Sequence, residues 1–222
     1  MMRAMIRPLS AAVALVALSA GAQAGYVLDQ GSLSSIEYTG WAFGTDRAGR
    51  PEELAQAFTV GVTGTLARLD LQMVKVFAPG QLIVRLYATT DGVPAPSRML
   101  ASLAIDPSKI PYQGQALPID LAAFGIRVAQ GDKLAFSLSV SGGGNVSQYM
   151  TLMSPYAGGN LFYRAWGDPA FAISDHTNPF NDLAFRTFVE PFATPEPSSL
   201  ALSGIALAGV GAWARRRRTA WS

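Results

Sequence analysis

The sequence predicts an all-β domain, an antiparallel β-sandwich for which a jelly roll is the preferred topology. Three observations predict it: runs of period-two alternation between residues 56 and 189, turn-forming residues between those runs, and no long amphipathic helix in the same region. Eight or nine short strands suit a sandwich of this kind. The chain has no cysteine, so we expect the fold to depend on its hydrophobic core without disulfides.

The alternation is clearest in residues 66–73, 82–88 and 133–140. In the first of these runs Arg68 and Asp70 share one face, whereas Leu69 and Leu71 share the other. Weaker runs predict further strands at residues 57–62, 99–105, 148–153, 160–166 and 183–189. Turn residues such as Asp91-Gly92 separate the runs. Residues 51–56 carry charges and predict, at most, one or two helical turns.

The first 24 residues predict a secretory signal peptide. Arg3 and Arg7 precede an apolar run over residues 9–20, and Ala22-Gln23-Ala24 fits the small-x-small pattern that signal peptidase cleaves. Gly25 is then the expected mature N-terminus. A short buried helix is the alternative interpretation.

The C-terminal end has three parts in a fixed order. These are Pro195-Glu196-Pro197, a segment over residues 198–214 that carries no charge, and four consecutive arginines. The arginines are Arg215, Arg216, Arg217 and Arg218. As a helix, 17 residues span about 25 Å, the short limit for crossing a bilayer. The arginines would remain on the cytoplasmic side, so the domain would face outward.

This tail resembles the PEP-CTERM sorting signal of Gram-negative bacteria, which accompanies exosortases and extracellular polysaccharide production. The resemblance implies that a membrane-embedded cysteine transpeptidase recognises the Pro-Glu-Pro region, removes the helix and transfers the protein to the cell surface or extracellular matrix. The expected partners are therefore signal peptidase, an exosortase-type enzyme and, transiently, the inner membrane. A plain C-terminal membrane anchor is the alternative.

These segments divide the chain into a signal peptide (1–24), a β-sandwich domain (25–192) and a sorting tail (193–222). The full chain has 17 basic and 15 acidic residues. Six of the basic residues belong to the two terminal segments, and Glu196 is acidic, so residues 25–194 carry 11 basic and 14 acidic residues, a net charge of −3. A nucleic-acid partner is not expected, because phosphate binding needs a clustered positive surface.

The middle of the chain resembles the sandwich domains called choice-of-anchor domains, which precede sorting tails of this kind. The matching segments are residues 56–60, 89–94, 129–134 and 182–187. The resemblance implies a galactose-binding-like sandwich in a carbohydrate-rich setting, with exopolysaccharide as a candidate partner. It implies no ligand residues.

Aromatic residues form the most distinctive candidate site. Six of them lie within residues 149–171, and Tyr156, Tyr163 and Trp166 are the candidates for stacking against sugar rings. The alternative is that most of these rings are core residues.

Catalytic and metal sites have weaker support. His176, the only histidine, lies in a polar loop without a Gly-x-Ser-x-Gly motif. Carboxylates for glycoside hydrolysis exist at Glu52, Glu53, Asp168, Asp175 and Asp182, although surface solubility also explains them. Asp175, Asn178 and Asp182 are weak candidates for structural calcium, and no other cofactor or metal is expected. We therefore expect a non-enzymatic surface protein with a structural or adhesive role and carbohydrate binding; an envelope-anchored glycan hydrolase is the alternative.

Overall fold

The computed structural model describes residues 25–32, 40–45, 50–75, 80–112, 115–142, 146–151, 156–165, 167–173 and 182–192. These residues form 14 strands in two antiparallel sheets, with two single-turn 3-10 helices at Pro107–Lys109 and Ala122–Phe124. The predicted all-β, two-sheet fold is confirmed. None of the helices in the described ranges has the length and apolar character needed to cross a membrane. The predicted helix at residues 198–214 lies outside the described residues.

The first sheet contains eight strands in the order β1-β14-β4-β10-β13, with β2 beside β10 and with β7 and β8 beside β4. Their bounds are β1 Val27–Ser32, β2 Gly40–Phe43, β4 Gly64–Lys75, β7 Ala116–Asp120, β8 Arg127–Val128, β10 Val146–Thr151, β13 Asp182–Leu183 and β14 Phe185–Pro191.

The second sheet contains six strands in the order β12-β11-β3-β9-β5-β6. Their bounds are β3 Glu53–Thr59, β5 Gln81–Thr90, β6 Val93–Ile105, β9 Lys133–Ser141, β11 Leu161–Arg164 and β12 Ala172–Ile173. The three clearest predicted strands lie within β4, β5 and β9. The predicted helical turn at residues 51–56 is wrong, because β3 begins at Glu53 and its side chains alternate between the two faces of the second sheet.

The main core lies between the two sheets. Phe185 of the first sheet packs against Phe58 and Phe136 of the second, with ring centroids 6.0 and 5.3 Å apart. Leucines, valines and isoleucines from both inner faces complete the core. The period-two pattern of the sequence therefore marks the residues that face the opposite sheet.

A second, smaller apolar cluster covers part of the outer face of the second sheet. Its members are Ala55, Ala57, Tyr87, Ala135, Phe162 and Phe171. Phe171 precedes β12 and packs edge-on against Tyr87 at 6.0 Å. The segment that leads from β11 to β12 thus encloses a patch of a sheet face that alternation alone predicts to be solvated.

Candidate functional site

The candidate site lies next to this small cluster, on the outer face of the second sheet. Strand register brings its members together: Glu53 on β3 is opposite Arg164 on β11, and Arg85 on β5 is opposite Ser137 on β9. The four side chains come from four adjacent strands, although 111 residues separate Glu53 from Arg164 along the chain.

Glu53 is the centre of the site and is only 6% exposed. Its Oε1 accepts hydrogen bonds from Ser137 Oγ at 2.5 Å and from Arg85 Nη1 at 3.2 Å. Its Oε2 forms an ion pair with Arg164. A buried carboxylate requires such partners, because removing an ion from water without compensation costs on the order of several kcal/mol.

Aromatic rings hold the arginine side of the cluster in place. The Arg164 guanidinium lies over the Phe171 ring, 4.6 Å from its centroid. The Tyr87 hydroxyl is 3.4 Å from Glu53 Oε1. Burial raises the pKa of Tyr87 above its ordinary value of 10.0, and the negative charge of Glu53 raises it further. Tyr87 is therefore a hydrogen-bond donor at neutral pH.

A cavity of about 410 Å³ opens beside these residues. Its apolar lining comes from Pro51, Ile83 and Val140, and its polar lining from Glu52, Glu53, Arg85, Ser139, Ser141, Arg164 and Asp168. The side chains of Arg85 and Arg164 are 30% and 22% exposed, so both retain donors that face solvent. Arg85 also donates to Ser139 Oγ at 3.0 Å. Two guanidinium groups and three carboxylates thus surround one small opening.

Three of the five candidate carboxylates meet at this cavity. Glu52, Glu53 and Asp168 all line it, whereas Asp182 lies on β13 in the first sheet. Asp175 and His176 lie outside the described residues.

Asp182 is buried and forms hydrogen bonds that support the fold. It is 4% exposed, and its carboxylate accepts hydrogen bonds from Gln56 Nε2 at 2.8 Å and from the Tyr156 backbone N–H at 2.6 Å. Burial raises the pKa of Asp182 above 3.8, and these two hydrogen bonds partly oppose that shift. Among the described residues no group of three His, Cys, Asp or Glu side chains could hold a metal ion. The other calcium candidates, Asp175 and Asn178, fall outside the described ranges, so the calcium hypothesis stays a prediction.

The aromatic candidates occupy two different places. The Tyr156 ring packs edge-on against Phe185 at 5.2 Å, and its hydroxyl donates to Gln30 Oε1 at 2.9 Å. Tyr163 packs partly against the main core, and its hydroxyl donates to Glu52 Oε1 at 3.0 Å. Trp166 lies outside the described residues, but its chain neighbours Ala165 and Gly167 both line the cavity. Sugar stacking by these rings stays a prediction.

The arginines of the site were not among the residues that sequence reasoning selected. The alternation of residues 82–88 predicts that Arg85 and Tyr87 lie on the face opposite Leu82, Val84 and Leu86, and β5 has this arrangement. A charged residue in the middle of a strand was the available signal. The role of Arg85 depends on its closeness to Glu53 and Arg164, and strand pairing alone brings these residues together.

Comparison with known proteins identifies the C-terminal tail. Residues 193–218 match the family model of the PEP-CTERM protein-sorting motif. The chain matches none of the curated proteins with which it was compared. The chain therefore carries a PEP-CTERM sorting motif, as its Pro-Glu-Pro, apolar segment and arginine cluster predict, and this motif implies an exported protein that an exosortase sorts to the cell surface.

Proposed function

We propose that this exosortase substrate is a structural or adhesive component of the cell surface or extracellular matrix of a Gram-negative bacterium, and that its sandwich domain binds carbohydrate. The sorting motif at residues 193–218 supports the destination. The two-sheet antiparallel fold supports a galactose-binding-like jelly roll as the finer topology.

The proposed route has three steps. Signal peptidase cleaves before Gly25 during export, and residues 198–214 then hold the protein in the inner membrane with the arginines on the cytoplasmic side. An exosortase-type transpeptidase recognises Pro195-Glu196-Pro197 and releases the domain from the helix. Mass spectrometry of the surface-located protein should find a C-terminus near residues 194–198, whereas an intact Ser222 in that material would contradict the route.

The cavity beside Glu53 is the observation that carries the binding proposal. Its volume of about 410 Å³ falls within the range of small-molecule sites, roughly 300 to 1,000 Å³. Sugar hydroxyl groups both donate and accept hydrogen bonds, so they suit a lining that contains both guanidinium donors and carboxylate acceptors. Two arginines against three carboxylates make the lining slightly acidic, which favours a neutral saccharide over a polyanion.

Binding to a glycan array of neutral and acidic oligosaccharides tests this proposal with the mature chain. Glu52→Gln removes one carboxylate at the cavity, and Ser139→Ala removes one hydroxyl. Each substitution should weaken binding about 5- to 10-fold, the effect of one lost hydrogen bond. Glu190→Gln is the matched control, because Glu190 is exposed on β14 in the other sheet. The absence of binding by the wild-type chain, or equal binding by all variants, would remove the proposal.

A glycan-active hydrolase is the second candidate, and the meeting of Glu52, Glu53 and Asp168 at one cavity favours it. Glycoside hydrolysis needs one carboxylic acid that donates a proton and one carboxylate opposite it. Both oxygens of Glu53 already pair with arginine, serine or tyrosine donors. Glu52 and Asp168 would therefore form the catalytic pair. Release of reducing ends from a bound oligosaccharide, abolished by Asp168→Asn, would support the hydrolase over simple binding.

A further inference from the structure

Exposed apolar side chains are concentrated at one end of the sandwich. The described residues include nine exposed large hydrophobic side chains, and six of them lie at the start of β1, just after β14 or in the groove described below. The six are Tyr26, Val27, Leu28, Leu100, Phe124 and Phe192, which we call the apolar end. The other three are Met99, Tyr112 and Ile173.

Strand pairing explains why residues so distant in sequence meet there. The first residues of β1 pair with the last residues of β14, as Val27 lies opposite Val189. Gly64, the first residue of β4, lies opposite both Pro191 and Val128. The Arg127 guanidinium lies over the Phe192 ring, 5.8 Å from its centroid. The start of the mature domain, its last strand and the segment before β8 therefore share one end of the first sheet.

A wide groove of about 970 Å³ connects this end to the second sheet. Leu100 and Phe124 line it together with three cations, Arg98, Arg127 and Lys133. Its acidic members are Asp91 and Asp132, and the Asp132 carboxylate accepts a hydrogen bond from the Ala129 N–H at 2.8 Å. The apolar end is thus amphipathic, with aromatic and aliphatic groups next to guanidinium and ammonium groups.

The position of the sorting tail limits how far this end can move from a membrane. Phe192 is the last described residue, and only residues 193–197 separate it from the apolar segment that begins at Ser198. Six residue steps extend at most about 20 Å, since a residue spans at most ~3.3–3.6 Å. The opposite end is much farther away: along β4, eight residue steps at about 3.3 Å separate Gly64 from Gln72, which pairs with Ala116, by roughly 26 Å.

We propose that the apolar end rests on the phospholipid interface while the protein is held in the membrane by its tail. Tyrosine rings are favoured at the level of lipid headgroups, phenylalanine and leucine side chains bury at the boundary between headgroups and acyl chains, and arginine pairs with phosphate. Contact at this end would keep the Pro-Glu-Pro region beside the membrane, where its transpeptidase acts. Glu53 lies at the opposite end of β3 from Thr59, so the candidate site faces away from the lipid. This inference rests on the anchored intermediate in the proposed function.

Site-specific fluorescence in proteoliposomes tests the contact, and the lack of native cysteine makes single labels straightforward. The mature chain with its tail is reconstituted in phosphatidylethanolamine–phosphatidylglycerol vesicles. Leu28→Cys, at a side chain that is 57% exposed, carries an environment-sensitive dye, and Tyr112→Cys, 74% exposed, is the distant control. A nitroxide on the lipid headgroup should quench the label at residue 28 at least three-fold more than the label at residue 112. Aqueous iodide should show the reverse order.

Each outcome has a separate meaning. Equal quenching of both labels in vesicle-bound protein would overturn the contact and leave the anchored intermediate intact. A chain that does not float with the vesicles would contradict the anchor, and the contact with it. Cross-linking between labels at residue 28 of two copies, without lipid quenching, would make the apolar end a protein interface and would also overturn the proposal. Preferential quenching of the label at residue 28 that the added double substitution Tyr26→Ser, Phe192→Ser reduces to the level of the control would support it.

Discussion

Glu53 and Arg164 lie directly opposite each other on β3 and β11, and their side chains form an ion pair on the outer face of the second sheet. Arg85 reaches the same carboxylate from β5. One acidic group thus joins three strands beside the cavity. Because the Arg85 and Arg164 side chains are mostly buried, only 30% and 22% exposed, the loss of the carboxylate would leave two guanidinium groups with only partial compensation from water.

Glu53→Gln should lower the free energy of unfolding by about 2 to 4 kcal/mol, less than the ~3–5 kcal/mol for breaking a fully buried ion pair, because the two arginines are partly exposed. Glu52→Gln is the matched control, because Glu52 accepts one hydrogen bond from Tyr163 at the rim of the cavity. It should cost less than about 1 kcal/mol. Chemical denaturation of both variants measures the difference. Similar losses in the two would show that the Glu53 network contributes little to stability.

Asp182→Asn tests the buried link between the sheets. Asp182 accepts two donors, and an asparagine would present its amide NH₂ to one of them, so we expect a loss of about 1 to 3 kcal/mol at neutral pH. The raised pKa adds a pH dependence: the folded state holds the proton more tightly than the unfolded state. The carboxyl group therefore makes its full contribution to stability below pH 3.8, and this contribution decreases as the pH rises through the folded-state pKa.

Denaturation of wild type and Asp182→Asn at several pH values measures this effect. The stability advantage of the wild type should be larger near pH 4 than at pH 7. An advantage that grows with pH would mean that the charged form is the favoured one in the folded state.

The sequence predicted the inner faces of the strands better than the outer ones. In β4, β5 and β9 the inner positions are uniformly apolar, so alternation identifies them without knowledge of strand pairing. Residues 51–56 misled the same reasoning, because Glu53 and Gln56 look like surface residues. Their partners, Arg164 and Asp182, are more than 100 positions away in the sequence. Periodicity shows which positions are polar. It does not show whether a polar side chain is buried against a hydrogen-bond partner, because that partner comes from a distant part of the sequence.

The residue types of the candidate site were predictable, but their arrangement in space was not. The carboxylates at Glu52, Glu53 and Asp168 were candidates from residue type alone, but their meeting at one cavity depends on the registers of β3, β9 and β11. The longer β6 illustrates a related limit. Proline is a turn-forming residue type, yet Pro94 and Pro96 lie in β6 at the edge of the second sheet, where a proline whose nitrogen faces solvent removes no ladder hydrogen bond.

Tyr156→Phe separates the packing of this ring from its hydrogen bonds. The ring contact with Phe185 remains, but the hydroxyl bond to Gln30 is lost, so stability should fall by about 1 kcal/mol. Tyr156→Ala should cost about 3 to 5 kcal/mol, because it also leaves a cavity beside Phe185. Thermal or chemical denaturation compares the two. Glycan binding by Tyr156→Phe, measured in parallel, tests whether the hydroxyl also contacts sugar; unchanged binding would leave it a structural group.

Gly159→Ala links the packing of β11 to the candidate site. A Cβ at residue 159 would stand 2.0 Å from the carbonyl oxygen of Ala57, and this contact is with strand backbone, which cannot rotate away. The residue after it, Asn160, accepts a hydrogen bond from the Ala57 N–H at 3.0 Å. The methyl group should therefore push the start of β11 away from β3 and cost about 2 to 3 kcal/mol, as overpacking does.

The same displacement should move Arg164 relative to Glu53, since these residues pair on the two strands that Gly159→Ala separates. Glycan binding should then fall together with stability when it is assayed well below the unfolding temperature. Gly25→Ala is the matched control, because no atom lies within 4 Å of its added Cβ. A variant that loses stability but keeps full binding would show that the cavity does not depend on the register between β3 and β11, and would separate the binding surface from the Glu53 network.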